Sequence, residues 1–395
     1  MRKKTDIIKN LLAIGPRVQS ESGSVTGPSM MFDLLMKSLE GTAWKADIVN
    51  IIDTESKIEN RRVGGFSRSR IAFYIKLLPK IGMKLFKKQD MVYLIIAPTL
   101  AAFIRDAAVI WAAFLLRKRI VCQLFGDYQD FYNGQHAILK KIISITLSKT
   151  DKIIVEGQLV KNYMAFIKSH NDKVIPISNG LPETEIKPSL SSKELSNEST
   201  YNILYMSNMI ETKGYLDVLS AVNILIKKRG RNIKAKFAGK FIVTSDAVEF
   251  SCPEEAKKSF FLYIKENNLE DHISYSESIL GDKKRKEFER AHFFLLPSNY
   301  IFEMQPVSVL EAMAYGAVVI GTDHKLIPDM LQDGVTGCIV PYNSPDFIAD
   351  KIEYLIDNPD IYKSFSLNSV NVYNQKFSPD IYCDNVIDVF DLVVN

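Results

Sequence analysis

Residues 303–341 read EMQPVSVLEAMAYGAVVIGTDHKLIPDMLQDGVTGCIVP. Between Glu303 and Asp323 the only charged residue is Glu311. The rest is almost wholly apolar, which predicts a helix and a strand buried in a core. A lone carboxylate there is costly unless something satisfies it, so Glu311 needs a partner. Pro306 suits the first helical turn, where its missing N–H costs nothing. Val307, Leu310, Met313 and Ala314 recur at helical spacing, and Gly316 suits the C-terminal cap. Residues 317–321 read as a buried parallel strand. Glu303 falls on the loop just before the helix. The N–H groups of that loop and the helix N-terminus form a ready anion site. A carboxylate beside an anion site suits a ligand with both hydroxyls and phosphates.

Outward from this unit the chain alternates strands and helices. Toward the N-terminus, strands are predicted over 201–206, 235–239, 272–275 and 293–296. Helices are predicted between them over 215–228, 254–267 and 282–291. The first half repeats the pattern, with strands over 10–14, 46–52, 91–96, 120–125, 152–155 and 174–177. Helices over 29–39, 99–116 and 137–147 accompany them. Both halves therefore predict an α/β architecture of doubly wound parallel sheets. The Ser-rich polar stretch 183–200 reads as a linker between domains 1–182 and 201–378. A helix over 379–395 follows.

Composition narrows the class. The 395 residues are 47% hydrophobic and 24% charged, values of a globular protein long enough for two domains. The longest apolar stretch, 91–116, is broken by Arg105 and Asp106, so no transmembrane helix is predicted. Residues 1–16 carry Asp6 and Lys9 inside a short apolar run, which does not make a signal peptide. Four scattered cysteines give no metal-ligand spacing and read as reduced thiols of a cytoplasmic protein. Five scattered histidines and the lack of any Asp-x-Asp predict no metal site.

Charge is unevenly spread. Residues 1–180 hold 28 Lys+Arg and 15 Asp+Glu, a net of +13; residues 181–395 hold 22 and 31, a net of −9. Residues 61–88 alone hold nine Lys/Arg and no acid, interleaved with Ile71, Ile75, Leu78 and Met83. This segment is expected to meet anionic lipid as a peripheral contact, each charge contributing about 1 kcal/mol near the surface. No nucleic-acid recognition motif accompanies the charge.

Several short motifs carry a family resemblance. Two glutamates separated by seven residues, then Ala312-Met313-Ala314-x-Gly316 and a strand, resemble the donor-binding motif of GT-B glycosyltransferases. The closest class is the retaining family 4. The resemblance implies two Rossmann-like domains facing a central cleft, the first binding acceptor and the second a nucleotide sugar. It implies a final helix that crosses back to the first domain. By the same resemblance Glu311 holds the ribose hydroxyls and Glu303 the donor sugar. The loop of Met304, Gln305, Pro306 and Val307 contacts sugar and phosphates. Met304 stands where the family usually has Gly, which narrows the space beside the sugar.

The segment SNMIETKGYLDVL, 207–219, resembles the family's Gly-Arg-Leu-x-x-x-Lys-Gly pattern. Lys213 matches its phosphate-binding lysine, and a lysine before a helix N-terminus suits a diphosphate. Asn208 stands where the family usually has Arg. Gly23 and Gly27 match the glycine loop of the first domain and would allow close backbone approach. Phe125-Gly126 replaces a His-Gly pair that lies near the donor sugar, leaving Phe125, Gly126 and Asp127 as sugar or acceptor candidates. Ile279 and Leu280 stand where the family seats the base. Asn179-Gly180 reads as a structural turn.

What the resemblance implies is a retaining, metal-independent transferase, needing no cofactor beyond its donor, a UDP-sugar. The acceptor would be a saccharide, carried on lipid, at the inner face of the cytoplasmic membrane. Capsule, O-antigen or exopolysaccharide assembly would be the setting. In such enzymes the leaving phosphate itself takes the acceptor proton, so the protein positions and stabilises. Two alternatives stand beside this: a nucleotide-sugar epimerase on the same fold, and a non-catalytic nucleotide-sugar-binding homologue or partner subunit.

Overall fold

The computed structural model describes residues 8–18, 26–52, 68–181, 192–195 and 200–394. The chain divides into two units, Met1–Pro182 with Pro379–Asn395, and Glu183–Ser378. Each unit holds a six-stranded sheet whose strand pairs are all parallel.

The first sheet comprises β1 (Lys9–Gly15), β2 (Trp44–Asn50), β3 (Met91–Ile96), β4 (Arg119–Leu124), β5 (Lys152–Val155) and β6 (Val174–Pro176). Its order is β2-β1-β3-β4-β5-β6. All six residues of β3 are buried, as a strand covered on both faces requires. One face packs on helices Gly27–Ser38 and Pro379–Val394 through Phe32, Tyr93, Tyr382 and Phe390. The Tyr382 hydroxyl donates to Gln123 Oε1 at 3.1 Å, on β4. Elsewhere in this unit the helix Leu100–Leu115 packs against β3 and β4, with helices Arg68–Leu85 and Ala137–Leu147 as neighbours.

The second sheet comprises β7 (Tyr201–Met206), β8 (Ile233–Ala238), β9 (Ile273–Ser276), β10 (Phe293–Leu296), β11 (Val318–Thr322) and β12 (Gly337–Val340). Its order is β12-β11-β10-β7-β8-β9. The chain winds outward from β7 on one side and from β10 on the other. The switch point therefore lies between these two strands, where ligands of such sheets bind at the carboxyl ends.

Sequence-predicted elements are all present, most shifted by a residue or two at their ends. The helix predicted over 215–228 is α-helical over Tyr215–Asn223 and closes as a π-turn over Ile224–Lys228. The sequence reading did not assign β12 or the helices Pro345–Asp357 and Pro359–Lys376. The stretch read as a linker is described only in part, and there it is fastened to the second unit. Lys193 donates its N–H to Ser366 Oγ at 2.8 Å and its ammonium to Phe288 O at 2.6 Å. Among the described residues no helix is long and apolar enough to cross a membrane.

Candidate functional site

At the carboxyl end of β7 the chain makes a tight turn, Glu211–Lys213, and enters the helix Tyr215–Asn223. Gly214 joins them at φ +78°, and a Cβ there would lie 2.3 Å from Pro297 O. Asn299 N–H donates to Thr212 O at 2.7 Å. The Lys213 turn is thus pressed onto the segment that follows β10, the neighbouring strand. Gly239, at the end of β8, approaches even closer: its Cβ would lie 1.8 Å from Ser207 O. Only glycine permits either crossing.

This packing brings two sequence-predicted residues together. Lys213 Nζ lies 3.1 Å from Glu303 Oε2 and 5.1 Å from the centre of the Tyr300 ring. Ser298 Oγ donates to the same Glu303 oxygen at 3.1 Å. Glu303 is 6% exposed, so its charge needs both partners. Its loop is braced from below, since the Thr322 hydroxyl donates to Ser298 O and a His324 ring nitrogen bonds Tyr300 O at 2.8 Å. Met304, Gln305 and Pro306 are buried, and Val307 opens the helix Val307–Ala314 half-buried.

Glu311 lies on that helix, 3% exposed. The partner that its burial demands is Lys284, whose ammonium pairs with Glu311 Oε1. The sequence reading missed Lys284, which stands in a run of four cations, Lys283-Lys284-Arg285-Lys286. Helical phase was the available signal. Lys284 precedes Phe288, the buried residue of the helix Gly281–Arg290, by four positions.

A second group was also missed. Asp246, on the loop after β8, accepts from Thr212 Oγ1 at 2.9 Å and Thr244 Oγ1 at 2.5 Å. The Glu211 carboxylate accepts the N–H groups of Val248 and Glu249 at about 3 Å. These bonds fasten the β8 loop to the Lys213 turn. Burial pushes the Asp217 carboxyl up to about 6, against a bond of 3.0 Å from Asn343 N–H.

Other candidates are placed differently. Asn208 is exposed, and its carbonyl accepts the Tyr205 hydroxyl at 3.2 Å. Ile279 is half-buried and Leu280, which precedes the helix Gly281–Arg290, is 77% exposed. Gly23 lies outside the described residues. Gly27 is the first residue of a helix capped by Thr26, and nothing lies within 4 Å of a Cβ there.

In the first unit, Phe125 is packed into the core at 6% exposure. Gly126 N–H donates to Glu156 Oε2 at 3.0 Å, and Asn179 Nδ2 to Glu156 Oε1 at 2.8 Å. Burial holds the Glu156 carboxyl above its ordinary range. Asp127 caps the short helix Tyr128–Asn133 by accepting Asp130 N–H at 3.0 Å. Among the described residues no group of three or more His, Cys, Asp or Glu is arranged to hold a metal ion.

Two doubly wound parallel sheets, with paired carboxylates and lysines at the switch point of the second, define the GT-B class. Residues 187–371 match the family described as Glycosyl transferases group 1. A capsular polysaccharide biosynthesis glycosyltransferase of Staphylococcus aureus, CapM, is 25% identical over 66% of this chain and 61% of its own length. The aligned region thus spans about three fifths of that relative. A glycosyltransferase structure from Rickettsia africae shares the fold with a TM-score of 0.71 at 17% identity, covering 98% of this chain and 99% of that one. The Anabaena HepE structure in complex with UDP-glucose has a TM-score of 0.63 at 12% identity, covering 97% and 99%.

Proposed function

We propose that this protein is a retaining, metal-independent glycosyltransferase that moves a sugar from a UDP-sugar to a lipid-linked saccharide. Its setting would be the assembly of bacterial cell-surface polysaccharide. The observation that carries this reading is the Lys213–Glu303 pair, 3.1 Å apart beside a loop that runs into a helix N-terminus. The naming of CapM for capsule synthesis and the UDP-glucose bound in HepE support the setting and the donor.

The pair is placed to receive an anion. When the diphosphate arrives, Lys213 exchanges Glu303 for phosphate oxygens and neutralises charge that grows as the donor bond breaks. Glu303, released, accepts hydrogen bonds from the donor sugar. Glu311 takes the ribose hydroxyls, and Lys284 is freed toward the phosphates, where Asn208 supplies no charge. The bond from the anomeric carbon to the phosphate oxygen breaks as the bond to the acceptor oxygen forms on the same face. The acceptor proton passes to the leaving phosphate.

Thermal shift with UDP-, GDP-, ADP- and dTDP-sugars, in the presence of chelator, tests the donor site. One donor should raise the melting temperature of the wild type and leave Glu311→Ala unmoved. Absence of a shift with every donor would sink the reading. An inverted anomeric configuration in the product, read by NMR, would remove the retaining assignment alone.

A further inference from the structure

The helix Leu100–Leu115 buries its charges beside Phe103, Val109 and Ile110 and leaves a second apolar stripe in solvent. Its sequence, LAAFIRDAAVIWAAFL, holds two charges, and both are buried: Arg105 at 4% and Asp106 at 2% exposure. Arg105 Nε donates to Asp106 Oδ1 at 2.7 Å. The solvent side is a stripe of Leu100, Ile104, Ala108 and Leu115, with Ile104 57% and Leu115 74% exposed. A surface helix ordinarily turns its charges out and its leucines in.

The neighbouring helix continues the face. Trp111 Nε1 donates to Thr146 Oγ1 at 3.1 Å, tying Leu100–Leu115 to Ala137–Leu147. The second helix exposes Ile138, Ile142 and Ile145, at positions i, i+4 and i+7. Scattered exposed apolar residues need no account, but two adjoining stripes do. Cations accompany them. Lys141 is exposed beside Ile142, and the Lys149 ammonium stands 4.7 Å from the centre of the exposed Phe114 ring. On the helix Arg68–Leu85, Lys76 and Lys80 are exposed. Residues 68–150 hold 14 Lys+Arg and four Asp+Glu, and two of those acids, Asp106 and Asp127, are buried.

We propose that this face of the first unit docks on an anionic lipid surface. Ile104, Leu115, Ile138 and Ile142 enter the headgroup–acyl boundary, and the lysines sit among the lipid phosphates. Charge complementarity selects lipid over a second copy of the chain, whose equally basic face would be repelled. The surface shares no residue with the Lys213–Glu303 site, so it stands whether or not the transfer reaction does. It also moves the expected lipid contact beyond residues 61–88 onto two helices that the charge pattern alone did not mark.

Co-sedimentation of the purified chain with vesicles of phosphatidylcholine, with and without phosphatidylglycerol, is the test. The wild type should pellet with the phosphatidylglycerol vesicles only. The triple variant Ile104→Ser/Leu115→Ser/Ile142→Ser should partition about tenfold less while keeping its melting temperature, since all three side chains are exposed. Lys76→Glu/Lys141→Glu should lose binding by a similar factor. A wild type that stays in the supernatant, or a triple variant that pellets equally, would overturn the proposal. So would a wild-type dimer in gel filtration that the triple variant dissolves, which would assign the face to a second copy.

Discussion

The two units bury charge in opposite ways on the same six-stranded scaffold. In the second unit two buried carboxylates meet lysines from other elements: Glu303 meets Lys213 and Glu311 meets Lys284. In the first unit the buried pair is Arg105 with Asp106, adjacent in sequence and on one helix. Side-chain exposure separates them further. Lys213 and Lys284 keep 14% and 21%, whereas Arg105 keeps 4%. A pair assembled across elements and open on its cationic side can trade its partner for a ligand. A pair sealed within one helix can only be broken.

That contrast predicts different consequences for removing the cation. Arg105→Ala leaves Asp106 uncompensated in the core and should cost about 3–5 kcal/mol of stability, read by urea denaturation. A loss under 1 kcal/mol would mean that the pair is solvated after all, and would erase the distinction. Lys213→Ala should instead act on transfer, lowering kcat by about 10²–10³-fold. Its melting temperature should move less than that of Arg105→Ala. If Lys213→Ala turned over normally, the second pair would be as structural as the first.

The smallest expected effect sharpens the comparison through pH. The Asp217 carboxyl is pushed up to about 6 in the fold, chiefly by burial, and has an ordinary value of 3.8. Between those values the folded chain holds a proton that the unfolded chain has released. Stability should therefore fall as pH rises from about 4 to about 6 and level off above, by at most about 2 kcal/mol after solvent screening. Asp217→Asn should flatten that slope in melting curves. An unchanged slope would place the titration elsewhere.

Much of this was legible in local pattern. The apolar run around Glu311 announced both a buried helix and the need for a partner, and Lys213 stood out before a helix start. Partner identity was not legible, because Lys284 is one of four consecutive cations and only the phase set by Phe288 singles it out. Asp246 and Glu156 are chosen by loops that meet only in the fold. Phe125 is instructive in the other direction. It extends the period of Val121 past the end of β4, and both side chains reach the same core. Strand alternation alone turns it inward.

The helix Pro379–Val394 imposes an order on biosynthesis. It belongs to the first unit, yet it is made only after the whole of Glu183–Ser378. At ribosomal speeds those residues take on the order of 10–40 s to emerge, and through that time β1, β3 and β4 lack Tyr382, Val386 and Phe390 over one face. The second unit, though later in the sequence, has every strand it needs and can close first. The first unit is begun early and completed only after the second has been made.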